Sequence, residues 1–255
     1  MSLPSTITLA DTDVTRIGLG TNRLTPDNVD FVKAAVEAGV EHIDTAHLYT
    51  SGQSEATIGE AREAGVDPRL VATKGGYRPG EGKPEVLRSQ IEESLRRLNA
   101  DSIDLYYLHR VDPDTPLEES LGAIAEQRDA GKIRHVGVSD VSVAQIEQAR
   151  QVVPVAAVQN QYSLSERGYD DVVDHCTEQG IPFVPYFPLR GVGGSQLDEI
   201  AGRHDASPRQ IALAWLLHRS PVMLPIPGTL SIEHLRENLG ALEVELTDAD
   251  LDALG

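Results

Sequence analysis

Short apolar runs alternate with stretches of helical periodicity along the whole chain. Between the runs, apolar residues recur every three or four positions, as at Val29, Val32 and Val36, which is the spacing of one helix face. The runs themselves are apolar on both faces and bounded by turn residues, and therefore predict strands of a buried parallel sheet. There are eight of them, at residues 17–19, 41–46, 70–74, 103–109, 133–139, 155–159, 182–186 and 222–226.

Eight strand–helix units in 255 residues have the order and size of a (β/α)8 barrel. We predict an α/β fold, a single-domain (β/α)8 TIM barrel over residues 1–255 with short loops over the active site. A doubly wound sheet is the alternative, but the third glycine of its dinucleotide loop is missing from residues 18–23, Gly-Leu-Gly-Thr-Asn-Arg. Residues 6–15 precede the first barrel strand and are expected to form a hairpin that covers the bottom of the barrel.

Capping residues mark several of the predicted helix boundaries. Thr115, Ser142 and Ser207 each begin a capping-box pattern at the start of a helix. Gly39 and Gly131 follow helical segments and are expected to end them.

The charge balance narrows the classes of partner. Twenty-two basic and forty acidic residues give a formal net charge of −18, which argues against binding nucleic acid or an anionic membrane. No apolar run is long enough to span a bilayer, and the first residues lack a signal-peptide pattern. The single cysteine, Cys176, fits a reducing compartment, so we expect a cytoplasmic protein. An excess of acidic residues with only four lysines is typical of an acidic proteome and favours a halophilic host.

Polar residues gather at the predicted carboxyl ends of three consecutive strands, where such a barrel forms its active site. They are Asp44, Lys74 and His109, and Tyr49 lies in the loop after the first of these strands. A phenol has a reference pKa of about 10, which a neighbouring ammonium lowers. Asp44 would hold Lys74 charged, and His109 would donate to a carbonyl oxygen as negative charge develops there. These four residues therefore suit proton donation to a carbonyl, and a hydride donor would complete the reaction.

A metal site is the alternative use of this region. His42, Asp44 and His47 are candidate ligands, but only His42 and Asp44 share one side of the strand and no third ligand is assigned. We predict no metal.

Seven motifs, in order and at compatible spacing, resemble the aldo-keto reductase family over nearly the whole chain, with some similarity to its pyridoxal-reductase-like bacterial members. The resemblance implies an NAD(P)H-dependent oxidoreductase of the EC 1.1.1 type that reduces an aldehyde or ketone, with Tyr49 as general acid, Lys74 and Asp44 tuning it, and His109 positioning a small carbonyl substrate. The motifs are Gly18-Leu19-Gly20-Thr21, the segment 42–49 (His-Ile-Asp-Thr-Ala-His-Leu-Tyr), Thr73-Lys74, the segment 104–109, Gly131-Lys132-Ile133-Arg134 with Gly137-Val138-Ser139, Gln159-Asn160-Gln161-Tyr162, and Ile226-Pro227-Gly228-Thr229 with Glu237-Asn238.

The resemblance also implies where a nicotinamide cofactor would bind. Ser139 and Gln159 would bond the carboxamide, Asp140 stands where the family usually has asparagine, and Tyr186 would stack on the ring. The remaining implied cofactor residues are Gly20, Thr21 and Asp44, then Phe187, Pro188, Leu189 and Gly191 around the pyrophosphate, and Pro227, Gly228, Thr229, His234, Glu237 and Asn238 around the adenosine end.

NADPH is the cofactor that the resemblance favours, and NADH stays possible. Family members that prefer NADPH place cations against the 2′-phosphate, whereas this chain has Gly228 and His234 at those positions. Arg236 and the amino terminus of the last helix would then have to supply the charge.

Two other functions are compatible with these patterns. The same barrel could serve as a nicotinamide-nucleotide-binding sensor or regulatory subunit with little turnover, or as a lyase or isomerase without nucleotide. The sequence predicts neither the oligomeric state nor the substrate, because Leu48, Tyr77 and Arg110 suit aliphatic, aromatic or sugar aldehydes about equally.

Overall fold

A computed structural model describes residues 4–255 and contains eight strands in two sheets within that range. Residues 1–3, the start of the segment that lacks a signal-peptide pattern, lie outside the described residues. The strands are β1 (Thr6–Leu9), β2 (Thr12–Thr15), β3 (Leu19–Gly20), β4 (His42–Asp44), β5 (Leu70–Gly75), β6 (Ile103–Leu108), β7 (Ile133–Ser139) and β8 (Val155–Gln159).

The helices alternate with the strands of the larger sheet, as the periodicity predicts. They are α1 (Val29–Glu37), α2 (Gln53–Glu63), α3 (Pro84–Arg97), α4 (Leu117–Asp129), α5 (Val143–Arg150), α6 (Asp170–Gln179), α7 (Ser195–Arg203), α8 (Pro208–Arg219), α9 (Ile232–Leu239) and α10 (Asp248–Leu254). Short 3-10 helices lie at Pro26–Asn28, Tyr49–Gly52 and Gly240–Glu243.

The larger sheet is parallel and curls into the predicted (β/α)8 barrel. Strands β3 to β8 pair in chain order. Two further extended segments, 182–186 and 222–228, complete the ring through isolated parallel bridges, from Val158 to Phe183, from Phe183 to Met223 and from Gly228 back to Gly20. These segments carry two prolines each, which cannot donate to a ladder, so bridges replace continuous pairing there.

The hairpin predicted for residues 6–15 is present and packs on one end of the barrel. Strands β1 and β2 are antiparallel, and Leu9 and Val14 are fully buried in a cluster with Leu70 and Leu105 from the barrel strands. The hairpin therefore covers the interior at the end opposite the carboxyl ends of the strands.

The predicted helix boundaries are confirmed with one exception. Ser142 and Ser207 form capping boxes at the starts of α5 and α8, and Gly39 and Gly131 take the left-handed conformation after α1 and α4. The prediction for Thr115 was wrong: α4 begins after Pro116, and the Thr115 hydroxyl instead donates to Asp112. Within residues 4–255, none of the helices is long and apolar enough to cross a bilayer.

Candidate active site

The residues predicted at the strand ends meet at one cavity. Asp44 ends β4, Lys74 is the penultimate residue of β5, and His109 directly follows β6. Parallel pairing brings these ends together at the same rim of the barrel. The cavity has a volume of about 780 Å³, and Asp44, Tyr49 and His109 line it.

Lys74 and Asp44 form a buried ion pair, of which Asp44 lines the cavity and Lys74 lies behind it. The Lys74 ammonium donates to Asp44 Oδ1 at 2.5 Å and to the Thr45 carbonyl at 2.7 Å. Asp44 Oδ2 accepts from the Gln159 side-chain amide at 2.8 Å. Burial opposes the charge on Lys74, but Asp44 and Tyr49 outweigh it, so the pKa of the ammonium is raised. Lys74 is therefore a fixed positive charge.

Tyr49 lies above that charge in an unusual turn. The Lys74 Nζ atom is 5.1 Å from the centre of the Tyr49 ring. The backbone turns through Thr50 (φ 47°) and Ser51 (φ 57°), a left-handed conformation that is costly for a β-branched residue. A hydrogen bond from the Thr50 hydroxyl to the Leu24 carbonyl, 2.7 Å, holds this turn. Strained backbone that the surroundings hold in place is typical of functional sites.

The pKa of Tyr49 differs from the expectation in its net direction. The Lys74 ammonium does lower it, as the sequence predicts, but burial is the larger effect and Asp44 adds to it. The pKa of the Tyr49 phenol is therefore raised in the protein without ligand. A phenol in this state stays protonated at neutral pH.

His109 is a neutral imidazole beside Tyr49. Burial, Lys74 and Arg110 hold the pKa of His109 well below its usual value. The ring centres of His109 and Tyr49 are 6.1 Å apart, and Tyr77 packs against His109 with ring centres 4.8 Å apart. The Nδ1 atom of His109 has no hydrogen-bond partner within residues 4–255. His109 lines the cavity, and a neutral imidazole carries one N–H that it can donate to a ligand there.

At Gly20, strand β3 meets the segment 222–228 and the barrel closes. A Cβ atom at Gly20 would lie 2.8 Å from the Ile226 carbonyl oxygen, so only glycine fits between these segments. The Thr21 hydroxyl donates to the Asp44 carbonyl at 2.8 Å, which ties this part of the barrel to the end of β4.

The residues predicted for a cofactor divide into two groups. Glu237 and Asn238 on α9 do not line the cavity. Glu237 accepts a hydrogen bond from Ser207, and Asn238 is fully buried with both polar side-chain atoms unpartnered within residues 4–255. Asp140, Gly191, Thr229 and His234 are also outside the cavity lining. Those that line it are Gly20, Thr21, Asp44, Ser139, Gln159, Tyr186, Phe187, Pro188, Leu189, Pro227 and Gly228.

Comparison with known proteins decides the family. The model of the aldo/keto reductase family matches residues 16–196 and 193–255. An uncharacterized oxidoreductase of Schizosaccharomyces pombe is 38% identical over 100% of this chain and 91% of the yeast protein. The chain belongs to the aldo/keto reductase family.

Two further relatives of this aldo/keto reductase carry informative names. Pyridoxine 4-dehydrogenase of Escherichia coli is 34% identical over 98% of this chain and 97% of the bacterial protein. The crystal structure of an aldo/keto reductase from Klebsiella pneumoniae in complex with NADP and acetate superposes with a TM-score of 0.89, at 29% identity, over 99% of this chain and 94% of that one. The likeness supports the (β/α)8 barrel along the full described length.

Asp140 of the aldo/keto reductase engages neighbouring side chains with both of its carboxylate oxygens. Oδ1 accepts from the Tyr186 hydroxyl at 2.7 Å, and Oδ2 accepts from Arg110 Nε at 3.0 Å. Burial and the hydrogen bond to Asp140 raise the pKa of Tyr186, which keeps its hydroxyl a donor. Asp140 thereby links Tyr186 to Arg110, both of which line the cavity.

Sequence reasoning missed three arginines that line the cavity. Arg23, Arg190 and Arg209 all reach it, and the Arg209 Nε atom is buried without a partner within the described part of the chain. Arg209 lies inside a capping-box motif, and nothing in that local pattern indicates that its side chain faces a cavity. Arg236, expected to supply charge, is exposed on α9 and does not line the cavity.

The three candidate metal ligands do not share a common site. Asp44 binds Lys74, His47 contacts Glu93 at 2.9 Å, and His42 is fully buried. Within residues 4–255, no group of three or more His, Cys, Asp or Glu side chains is arranged to hold a metal ion.

Proposed function

We propose that this protein reduces an aldehyde or ketone to an alcohol with a nicotinamide cofactor, in the manner of an EC 1.1.1 oxidoreductase. The observation that carries the proposal is a protonated tyrosine, Tyr49, held between the buried Lys74 cation and the neutral His109 ring on the wall of one cavity. Proton donation to a carbonyl requires this kind of group within hydrogen-bond reach of the oxygen.

Each of the four site residues has a separate task in this proposal. His109 orients the carbonyl by donating an N–H to its oxygen, and Tyr49 gives its phenol proton to that oxygen as negative charge develops. Lys74 stabilises the phenolate that Tyr49 becomes, and Asp44 keeps Lys74 charged and in place. The bound nicotinamide would supply the hydride to the carbonyl carbon. The reverse oxidation uses the same groups with the proton moving the other way.

The residues present fit a dinucleotide. The buried and unpartnered side-chain amide of Asn238 is the main observation, because a buried amide without a partner costs about 1–3 kcal/mol unless a ligand satisfies it. Asn238, Glu237 and His234 would hold the adenosine end with Thr229 and Gly228. Phe187 to Gly191 and Pro227 would surround the pyrophosphate, and Tyr186, Ser139, Gln159 and Asp140 would surround the nicotinamide, with Gly20 and Thr21 beside it.

NADPH is the cofactor that we propose, with NADH as the alternative. The amino terminus of α8 lies against α9, since Ser207 donates to Glu237, and this contact brings Arg209 near the adenosine residues. Arg209 could supply the charge that Gly228 and His234 lack, because a phosphate dianion favours charge-assisted partners. The Klebsiella pneumoniae relative was crystallised with NADP, which supports the same choice.

We further propose that residues 1–255 act as one domain on small carbonyl compounds. The cytoplasmic location and a salt-rich host stay predictions from composition.

The test is a nucleotide titration followed by a turnover assay. Purified protein, in low and high salt, is titrated with NADPH and NADH while the quenching of Trp215 and tyrosine fluorescence is followed. Loss of absorbance at 340 nm is then measured with a panel of aldehydes. Binding with turnover supports the proposal and ranks the cofactors. Binding without turnover favours the sensor function, and absence of binding by folded protein contradicts both.

A further inference from the structure

Arg110 places a positive charge one aromatic ring away from the reacting centre. Its guanidinium carbon lies 4.5 Å from the centre of the Tyr77 ring, and that ring packs on His109 at 4.8 Å. Arg110 lines the cavity, and its side chain is 48% exposed. The distance from the guanidinium to the His109 ring is thus no more than these two separations taken together, which is within the length of a small bifunctional aldehyde.

The guanidinium is fixed on two sides, and its outer edge has no partner. The Tyr77 ring supports one face by a cation–π contact. Asp140 binds Nε at 3.0 Å and is itself held by the Tyr186 hydroxyl. The two terminal nitrogens of Arg110 form no hydrogen bond within residues 4–255. A planar pair of donors fixed in this way matches the geometry of a carboxylate.

The charge of the cavity wall is opposite to that of the protein. The chain carries a net charge of −18, yet the charged cavity residues are four arginines and Asp44. Lys74 balances Asp44, and Asp140 pairs with Arg110, so three further arginines leave the wall positive. Such a wall attracts anions.

Arg110 is set apart from the other three arginines. Arg23, Arg190 and Arg209 belong to the side of the ring formed by β3 and the segments 182–186 and 222–228. β6, which precedes Arg110, lies four positions from the segment 222–228 in this ring of eight and is therefore opposite to it. Three arginines face the expected dinucleotide, and Arg110 faces the space beside His109.

We propose that Arg110 binds an anionic group of the substrate, so that the enzyme prefers aldehydes and ketones that carry a carboxylate. This inference rests on the proposed carbonyl reduction. Asp140 and Tyr77 act as positioning residues for Arg110, and Asp140 also binds the Tyr186 hydroxyl. A phosphate monoester has related charge but a tetrahedral shape, and it is the second anion to be tested.

The experiment compares matched charged and neutral substrates. kcat/KM is measured for 4-carboxybenzaldehyde and for 4-carbamoylbenzaldehyde, which has nearly the same shape without the charge. The 2- and 3-carboxy isomers vary the distance between the anion and the carbonyl, and glyceraldehyde 3-phosphate against glyceraldehyde tests phosphate. We expect the wild type to favour a carboxylate over its neutral partner.

Two variants assign the preference to Arg110. In Arg110→Ala we expect the charged-to-neutral ratio of kcat/KM to fall by about tenfold or more, as for a lost hydrogen-bonded charge pair. Arg110→Lys should show an intermediate ratio, since it keeps the charge but not the paired donors. The control is Arg88→Ala, which removes the same charge from a pair with Glu126 on the outer helices α3 and α4 and should leave the ratio unchanged.

The outcomes separate this inference from the function on which it rests. Equal use of charged and neutral aldehydes by the wild type, or a ratio that falls no more in Arg110→Ala than in Arg88→Ala, overturns the anion site and leaves the reductase standing. A preference for phosphate alone overturns the assignment to carboxylates. Failure to reduce any aldehyde despite NADPH binding overturns the proposed function and this inference together. NADPH titration of each variant confirms that it is folded.

Discussion

The Lys74 ammonium lies 2.5 Å from a carboxylate oxygen of Asp44, and both side chains are almost completely buried. Taking two charges out of water costs several kcal/mol each, which a well-formed pair with further hydrogen bonds can offset. Thr45 and Gln159 provide those further bonds. The pair is thus a fixed element of the barrel core that holds a positive charge below the Tyr49 ring.

Variants that remove Lys74, Asp44 or both distinguish the effect of this ion pair on stability from its effect on catalysis. Lys74→Met and Asp44→Leu each leave one charge buried alone and should lower the free energy of unfolding by about 3–5 kcal/mol. The double variant leaves no unpaired charge and should be more stable than either single variant. All three variants should lose about 100-fold or more in reduction rate. Loss of Lys74 removes the cation beside Tyr49, and loss of Asp44 removes the carboxylate that keeps this cation charged and in place. Urea unfolding and absorbance at 340 nm measure the two effects, and a double variant no more stable than the singles would contradict the pairing.

His42 makes stability depend on pH in the acid range. Burial is the main cause, with Asp44 opposing it and Lys74 adding to it, and together they lower the pKa of His42 from 6.5 to about 4. Between these values the unfolded chain binds the proton and the folded protein does not, so stability is present above pH 6.5 and is lost as pH falls towards 4.

The corresponding variant is His42→Leu. Neither ring nitrogen of His42 has a partner within residues 4–255, so leucine breaks no hydrogen bond there. The loss of stability between pH 6.5 and pH 4 should become smaller in the variant, by up to roughly 3 kcal/mol. Unfolding free energies at pH 5 and pH 8 test this, and parallel pH curves for the two proteins would exclude His42 as the cause.

The raised pKa of Tyr49 predicts an alkaline limit for the reaction. Burial keeps the phenol protonated, so reduction should be nearly independent of Tyr49 titration through neutral pH and fall as pH rises through its pKa. Alcohol oxidation needs the phenolate and should change in the opposite direction. Profiles of kcat/KM against pH in both directions are the measurement. A reduction rate that falls instead as pH decreases below neutral would contradict this assignment, because Tyr49 stays protonated there and His109 is neutral.

Asn238 should affect binding and stability with opposite signs. Asn238→Leu removes a buried amide that lacks partners, so the protein without ligand should be unchanged or stabilised by up to about 1 kcal/mol. Binding of NADPH should weaken by about tenfold because the amide would satisfy the adenosine end. Thermal unfolding and fluorescence titration measure both, with the exposed Glu233→Gln on the same helix as control. Lower stability with unchanged affinity would show that Asn238 is only structural.

Much of the fold could be predicted because its signals are local. Buried parallel strands leave continuous apolar runs, and Ser142 and Ser207 carry complete capping boxes. The prediction failed at Thr115 because a residue outside the pattern, Asp112, binds its hydroxyl. Irregular pairing around 182–186 also depends on neighbouring strands, which periodicity does not describe.

The site could be predicted only in part, since its properties come from contacts between distant segments. The polar strand ends indicated Asp44, Lys74 and His109. The net direction of the Tyr49 pKa depends on burial, which no motif reports. Likewise, Asp140, Arg110 and Tyr186 lie in three separate segments of the chain and meet only in the folded protein. Arg209 reaches the cavity from the first turn of α8.

The most direct test of the account is the reduction rate of Tyr49→Phe, which removes a single hydroxyl. Fluorescence titration must first show NADPH binding as in the wild type, and Tyr169→Phe, outside the cavity lining, controls for the loss of a tyrosine hydroxyl. The account predicts that Tyr49→Phe with bound NADPH reduces an aldehyde about 100-fold or more slowly than the wild type, while Tyr169→Phe does not. Turnover by Tyr49→Phe at the wild-type rate would contradict the role of Tyr49 as proton donor.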